Sequence, residues 1–351
     1  MPMKRLSRQA EKFDALELYS AVSRKQGYKI GVVRDLQDFH SRIGVSLKAS
    51  LDNPAILYGK RVEAMFAHVL GALGSCSLIK QEDAGTIFAD SADIRIPDYR
   101  IVTEAGDIIL IEVKNFHMKS LDSRLYLQRS YLKKLRAYAD MNGASLKIAV
   151  YFSRINKWVL LSPEAFVDAG RRVYIDLSFA MAKNELALLG DRMIATLPPL
   201  SIEFLGDPHD ERAIVKEDGS AVFTIRELSM KCGGNTIVAE IEKNIAFYLM
   251  RYGSWKEAEM PARIVNGRLV AFEVVFAPDE PVDEQPFQIL GHLSSMISNA
   301  FRELTSGDTG VVSLDVKHDP MSFQVDIPKK YRGSAMPLWQ FVIQPNSNFR
   351  P

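Results

Sequence analysis

The sequence predicts a mixed α/β to α+β protein: a mixed sheet flanked by helices, followed by a second α+β domain. Three observations lead there. A stretch of helical periodicity precedes three short strand-like runs. A second helical stretch separates those from two further strands. Beyond an apolar, proline-containing segment at 195–200 the pattern becomes mainly strand, with two helices among the strands. Strands and helices that interleave in this way bury their apolar faces best as layers around a sheet.

Taken in order, residues 8–50 read as mostly helical, and LDNPAILYG (51–59) breaks the run. A helix is expected over 60–73, where Val62, Met65, Phe66, Val69 and Leu73 share a face and Gly74 closes it. CSLIKQ (76–81), ADIRIPDYRIVT (92–103) and DIILIEVKNF (107–116) read as strands. The last two are joined by a short turn containing Gly106, as a hairpin requires. A helix over 120–141 ends at Asn142-Gly143, and the strands SLKIAVYFS (145–153) and KWVLLS (157–162) follow, with Ser162 as a cap for a short helix in SPEAF.

A helix at 178–190 leads to ATLPPL (195–200), the best boundary in the chain. The division is therefore an N-terminal helical region over 1–56, a core domain over 57–196 and an accessory α+β domain over 197–351. In the accessory part SIEFLG, SAVFTIREL, MPARIVNG, RLVAFEVVF and GVVSLDV read as strands, and 236–252 and 286–304 as helices. Asn266-Gly267 between two strands marks a hairpin.

Composition bounds the chemistry loosely. Of 351 residues, 47% are hydrophobic and 25% charged, an ordinary globular balance without a bilayer-length apolar run. The basic N-terminus lacks the apolar stretch of a secretory signal, so a cytoplasmic protein without a membrane partner is expected. Cys76 and Cys232 form neither a disulfide framework nor zinc spacing. A net charge of +1 neither demands nor forbids a nucleic-acid partner, because local clustering decides that.

The chemistry concentrates in IPDYRIVTEAGDIILIEVKNF (96–116). Side chains alternate along a strand, so Glu112 and Lys114 share one face while Val113 points with Ile109 and Ile111 into the other. Charges on an otherwise apolar strand must be paired or bind a metal. Asp98, on the preceding strand, can reach Glu112 across the hairpin. Two carboxylates and an ammonium make a hydrolytic centre whose hard oxygens suit Mg²⁺, with Mn²⁺ as a substitute. Lys114 would orient the attacking water or offset developing charge.

Pro97-Asp98, a hairpin-length gap and Glu112-Val113-Lys114 resemble the pattern of the PD-(D/E)XK, restriction-endonuclease-like nucleases, over roughly residues 57–165. The resemblance implies Asp98 and Glu112 as metal ligands, the Val113 carbonyl as a third and Lys114 as the catalytic lysine. Members of the family often carry a glutamate on the helix before the sheet, a place that Glu63 fills. On the following helix, Leu121, Leu125, Leu132, Leu135 and Ala139 define an apolar stripe that includes Gln128. A glutamine there needs hydrogen-bond partners, and several branches of the family place one near the metal. Tyr131 follows it one residue short of the usual Q-x-x-x-Y spacing. Arg124, Arg129, Lys133, Lys134 and Arg136 lie on other faces, where they can meet a phosphate backbone.

The implied activity is a metal-dependent DNA endonuclease serving restriction, phage defence, recombination or transposition. RNA stays open as a substrate, and a homodimer or partner subunit would allow both strands to be cut. Two rivals are a non-cleaving nucleic-acid-binding scaffold on the same fold and a winged helix-turn-helix over 223–277 as DNA reader. Pro278-Asp279 with Asp315-Val316-Lys317 fits the short pattern too. A helix intervenes there, however, so Asp315 and Lys317 are expected to form an edge-strand ion pair.

Overall fold

The computed structural model describes residues 3–6, 10–82, 85, 87–89, 93–308, 310–328 and 331–350. Residues 8, 9 and 92, at the starts of two expected elements, lie outside them. Helices α1 (Ala10–Gln26) and α2 (Val33–Leu51) precede α3 (Pro54–Leu73). The break falls at Asp52-Asn53, and α3 begins six residues before the sequence reading placed it. The Asn53 side chain accepts from the Ala55 and Ile56 N–H groups, and Pro54 sits in the first turn, where its missing donor costs nothing. Gly74 closes the helix in the left-handed region, with φ 75°.

Five strands form the central sheet: β1 (Cys76–Gln81), β2 (Tyr99–Thr103), β3 (Ile108–Phe116), β5 (Ser145–Phe152) and β6 (Lys157–Leu161), in the order β1-β2-β3-β5-β6. Only β3 and β5 are parallel; the other neighbours run antiparallel. This is the mixed α/β sheet flanked by helices that the sequence predicts. Val62, Met65, Phe66, Val69 and Leu73 of α3 are all buried, on the sheet face that presents Tyr99, Ile101, Ile111 and Val113.

The opposite face carries α4 (Arg129–Met141) over Leu110, Ile148, Val150 and Phe152. Here the reading needs a correction. Residues 120–124 form a turn, Leu125–Gln128 is a strand (β4), and the helix starts only at Arg129. The reason is a long-range partner: β4 pairs with β8 (Arg172–Ile175), which also pairs with β7 (Val167–Ala169). Leu132, Leu135 and Ala139 are buried as expected, whereas Leu121 is 69% exposed. After a short α5 (Leu177–Ala182), a 3₁₀ turn over Leu186–Leu189 takes the place of the rest of the expected helix.

The second half is again α+β. β9 (Met193–Thr196) lies between β16 (Gln288–His292) and β19 (Leu338–Phe341). A larger sheet runs β12-β11-β10-β15-β13, with β14 also on β15. Its strands are β10 (Leu200–Gly206), β11 (Ile225–Cys232), β12 (Asn235–Ile237), β13 (Lys256–Glu259), β14 (Ala262–Val265) and β15 (Arg268–Ala277). Asn266 and Gly267 have φ of 50° and 72°, the paired positive angles of the expected two-residue hairpin. A two-residue hairpin of β17 (Ser306–Gly307) and β18 (Gly310–Val311) follows α7 (Leu293–Thr305).

Residues 223–277 contain one helix, α6 (Glu240–Tyr252), so they do not form a helix-turn-helix. Within the helix expected over 286–304, Gln288–His292 is instead strand β16, and the helix begins only at Leu293. Asp315 pairs with His68 and Arg5 rather than Lys317, and Asp279 pairs with Lys256, so the second short pattern assembles nothing.

One hydrophobic core runs from the central sheet through α3 into α6, α7 and β16. Helix α3 is consequently buried on several sides, and at Gly71 an added Cβ would meet Pro320 at 2.6 Å. Asp191 joins the halves in polar terms. Buried itself, it accepts from the Ser294 N–H and hydroxyl, each at 2.9 Å, and lies 3.1 Å from His292 Nδ1. It thereby caps α7 from the far side of the boundary segment. Asp191→Ala is expected to lower the unfolding free energy by about 3 kcal/mol, since three buried groups lose their partner. Urea denaturation should show one shifted transition; two resolved transitions with only one displaced would show that the halves unfold separately.

Candidate active site

The site forms where β2 stops pairing with β3. Register runs from Val102↔Ile108 to Tyr99↔Ile111, so β3 from Glu112 onward has no β2 neighbour. Asp98 occupies the bend just before β2, and its Oδ2 accepts from the Val113 N–H at 2.7 Å. In an extended strand the N–H and C=O of one residue leave by the same edge. The Val113 carbonyl therefore faces the Asp98 side.

Glu112 and Lys114 share the Leu110 face of β3, as strand alternation requires. Glu112 is only 4% exposed. Its Oε1 accepts from Lys114 Nζ and from the Tyr131 hydroxyl, and Lys114 Nζ also donates to the Tyr131 oxygen at 2.9 Å. Tyr131, in the first turn of α4, closes this triangle. The Arg95 guanidinium lies 4.6 Å from the Tyr131 ring centroid and Lys114 Nζ 4.9 Å from it, so two cations contact one ring.

Burial and the neighbouring Glu112 charge push the Asp98 carboxyl up to about 7, although the Val113 N–H acts in the opposite sense. Burial works against the Lys114 charge, but the Glu112 carboxylate and the Tyr131 hydroxyl outweigh it and raise the ammonium above its usual range. Tyr131 is raised by burial and by Glu112. Asp98 thus has a strong reason to hold a proton or a cation, while Lys114 stays charged.

Of the residues singled out in the sequence, Asp98, Glu112, Val113 and Lys114 come together. Glu63 lies within electrostatic reach of Asp98, yet its carboxylate takes Lys60 Nζ at 2.6 Å, and its backbone carbonyl takes the Tyr99 hydroxyl at 2.9 Å. Among the described residues no three His, Cys, Asp or Glu side chains converge as a metal-binding group. Gln128 is the exposed last residue of β4, opposite Arg172, rather than a core-facing helical residue. Tyr131 and Arg95 are what the sequence reading missed. The near-match of Tyr131 to the Q-x-x-x-Y spacing was the available signal; nothing local marked Arg95. Of the basic residues on or near α4, Arg129, Lys134 and Arg136 face Asp168, Asp93 and Glu164, and Arg124 stacks on Tyr174.

Residues 88–190 match the family model described as archaeal Holliday junction resolvase (Hjc). That span includes Asp98, Glu112, Lys114 and Tyr131 and leaves out Glu63. Among solved structures, the chain is similar to that of Archaeoglobus fulgidus Hjc, a Holliday junction resolvase from an archaeal hyperthermophile. The identity is 20%, over 38% of this chain and 96% of that one, with a TM-score of 0.30. No curated protein matches the chain.

Because the folded state binds the Asp98 proton more tightly than the unfolded chain, metal-free stability should fall as pH rises from about 4 through about 7. Asp98→Asn keeps an acceptor for Val113 and removes the charge. It should flatten that fall and exceed the parent in Tm at pH 8, with the gap narrowing toward pH 5. Melting curves in EDTA across this range test it, and parallel pH profiles would contradict it.

Proposed function

We propose that this chain is a divalent-metal-dependent endonuclease that cuts branched DNA. The observation that carries the reading is the Asp98, Glu112 and Lys114 cluster at the free edge of β3. A strand buried on both faces keeps two acids and an ammonium only where they have work to do or pair completely. Among the described residues Asp98 has no cationic hydrogen-bond partner; its Oδ2 accepts from the Val113 N–H.

The donor set fits Mg²⁺, with Mn²⁺ as substitute. Asp98 and Glu112 offer hard oxygens, the Val113 carbonyl faces the same edge, and the raised Asp98 carboxyl reflects burial first and the Glu112 charge second, both of which a bound cation would offset. When bound there, the metal would polarise the phosphodiester and acidify a bound water. Lys114, held by Glu112 and Tyr131, places a fixed positive charge beside the reacting group, where it can orient the attacking water and offset charge in the transition state. Tyr131 is a positioning residue: it sets the Lys114 and Glu112 rotamers together.

The junction substrate, and with it a role in recombination rather than restriction, phage defence or transposition, is supported by the family match over 88–190. Cutting two strands of a junction calls for two such centres, which makes a homodimer the expected assembly.

Purified protein with Mg²⁺ or Mn²⁺ should cut a four-way junction in preference to linear duplex of the same sequence. Lys114→Ala and Asp98→Ala should each lower the single-turnover rate by about 10³-fold or more, the range seen when a transition-state group is lost. Wild-type protein that binds the junction but leaves it intact would sink the nuclease reading; equal cutting of both substrates would sink only the junction preference. Tyr131→Phe should slow cleavage about tenfold. It should also move the basic limb of the pH–rate profile to lower pH, because the hydroxyl helps hold the Lys114 proton. An unmoved limb would remove Tyr131 from that role.

A further inference from the structure

Arg61, on α3, is 6% exposed. Among the described residues its guanidinium faces no carboxylate at ion-pair distance. Among the described residues its one hydrogen bond runs from Nη1 to Thr305 Oγ1 at 3.3 Å, and its buried Nε has no partner there. The exposed Arg129, Arg136 and Arg251, by contrast, each face an acid.

A second guanidinium aggravates the situation. Arg302 lies one helical turn before Thr305 on α7 and acts electrostatically on Arg61 and on the buried Tyr151, whose hydroxyl donates to Asn156 Oδ1 at 2.8 Å. Its neighbour Glu303 is turned to Arg251. Tyr151 is the register partner of Asn115, whose side-chain oxygen is also buried without a partner.

Arginine remains protonated in proteins, and an uncompensated buried charge costs several kcal/mol. Two guanidinium groups converging without an acid are compensated when an oxyanion joins them, and phosphate fits the planar fork best. The place is also informative. Asn115 follows Lys114 on β3 and so presents its side chain to the opposite, α3 face, where its register partner Tyr151 also lies, which puts the arginine pair across β3 from Glu112 and Lys114.

We propose that Arg61 and Arg302 form an anion subsite, distinct from the Asp98, Glu112 and Lys114 centre, that takes a backbone phosphate of the bound nucleic acid. Only the identity of the anion's carrier rests on the nuclease reading; the demand for an oxyanion does not.

The test uses the full chain in EDTA. Thermal unfolding compares inorganic phosphate with chloride at equal ionic strength, and anisotropy follows a fluorescein-labelled four-way junction across a salt series. The variants are Arg61→Met and the exposed Arg302→Ala. Phosphate should raise the wild-type Tm and leave both variants unmoved. Arg61→Met should melt at or above wild type without phosphate, because it removes an uncompensated charge. Each variant should weaken junction binding about tenfold and lower the salt slope by about one.

Loss of either signature in the variants supports the subsite, and Arg302→Ala alone carries the test if Arg61→Met does not fold. A phosphate effect lost in the variants, with no junction binding by wild type, would keep the subsite while rejecting the DNA reading. Absence of any phosphate effect, combined with wild-type junction affinity and salt slope in the variants or no junction binding by wild type, would overturn the proposal.

Discussion

The candidate site depends on how a carboxylate is kept inside a sheet. Glu112 stands on the central strand between two helix layers, where an unpaired charge is untenable. Lys114 and Tyr131 both bind the same oxygen, one from the strand and one from α4. The start of α4 is thereby fixed against β3, and the ammonium is fixed with it. A network of this kind rigidifies only when each member is satisfied, and among the described residues Asp98 is the member left with a backbone donor alone.

The same strand separates two environments. Toward α4 the strand presents Glu112 and Lys114 on the face of Leu110, while toward α3 it presents Ile111 and Val113 to a core shared with the second half of the chain. Helix α3 links the two, bringing Glu63 near Asp98 and Arg61 near Arg302 while its apolar residues fill the layer between the central sheet and α7. The second half of the chain consequently supports the site from behind, through packing. Asp191 is the polar counterpart of that support, capping α7 from the chain that leads into β9.

Much of this was legible in the sequence where the signal is local. Alternation along 107–116 put Glu112 and Lys114 on one face, and the short turn brought Asp98 to the strand's edge. Helical spacing finds the buried face of α3, whereas Pro54, a breaker by local composition, serves as the first helical residue. The central sheet's strands were found, but the expected run over 92–103 shortens to Tyr99–Thr103: toward β3 the Asp98 side chain, not its backbone, meets the Val113 N–H, while the Asp98 carbonyl still accepts from Glu82 on the β1 side.

What the sequence determined by itself was the grouping of Asp98, Glu112 and Lys114 at one strand end, since period-two alternation and turn residues are properties of a few consecutive positions. The tertiary structure alone decided the surroundings. Leu125–Gln128 became a strand because Arg172–Ile175 lies beside it, which left Gln128 exposed and brought Tyr131 to Glu112 in its place. Glu63 turned to Lys60, and Arg61 was buried beside Arg302 from the other end of the chain. Those outcomes are set by contacts between distant segments, where burial and charge pairing outweigh the local periodicity that a sequence displays.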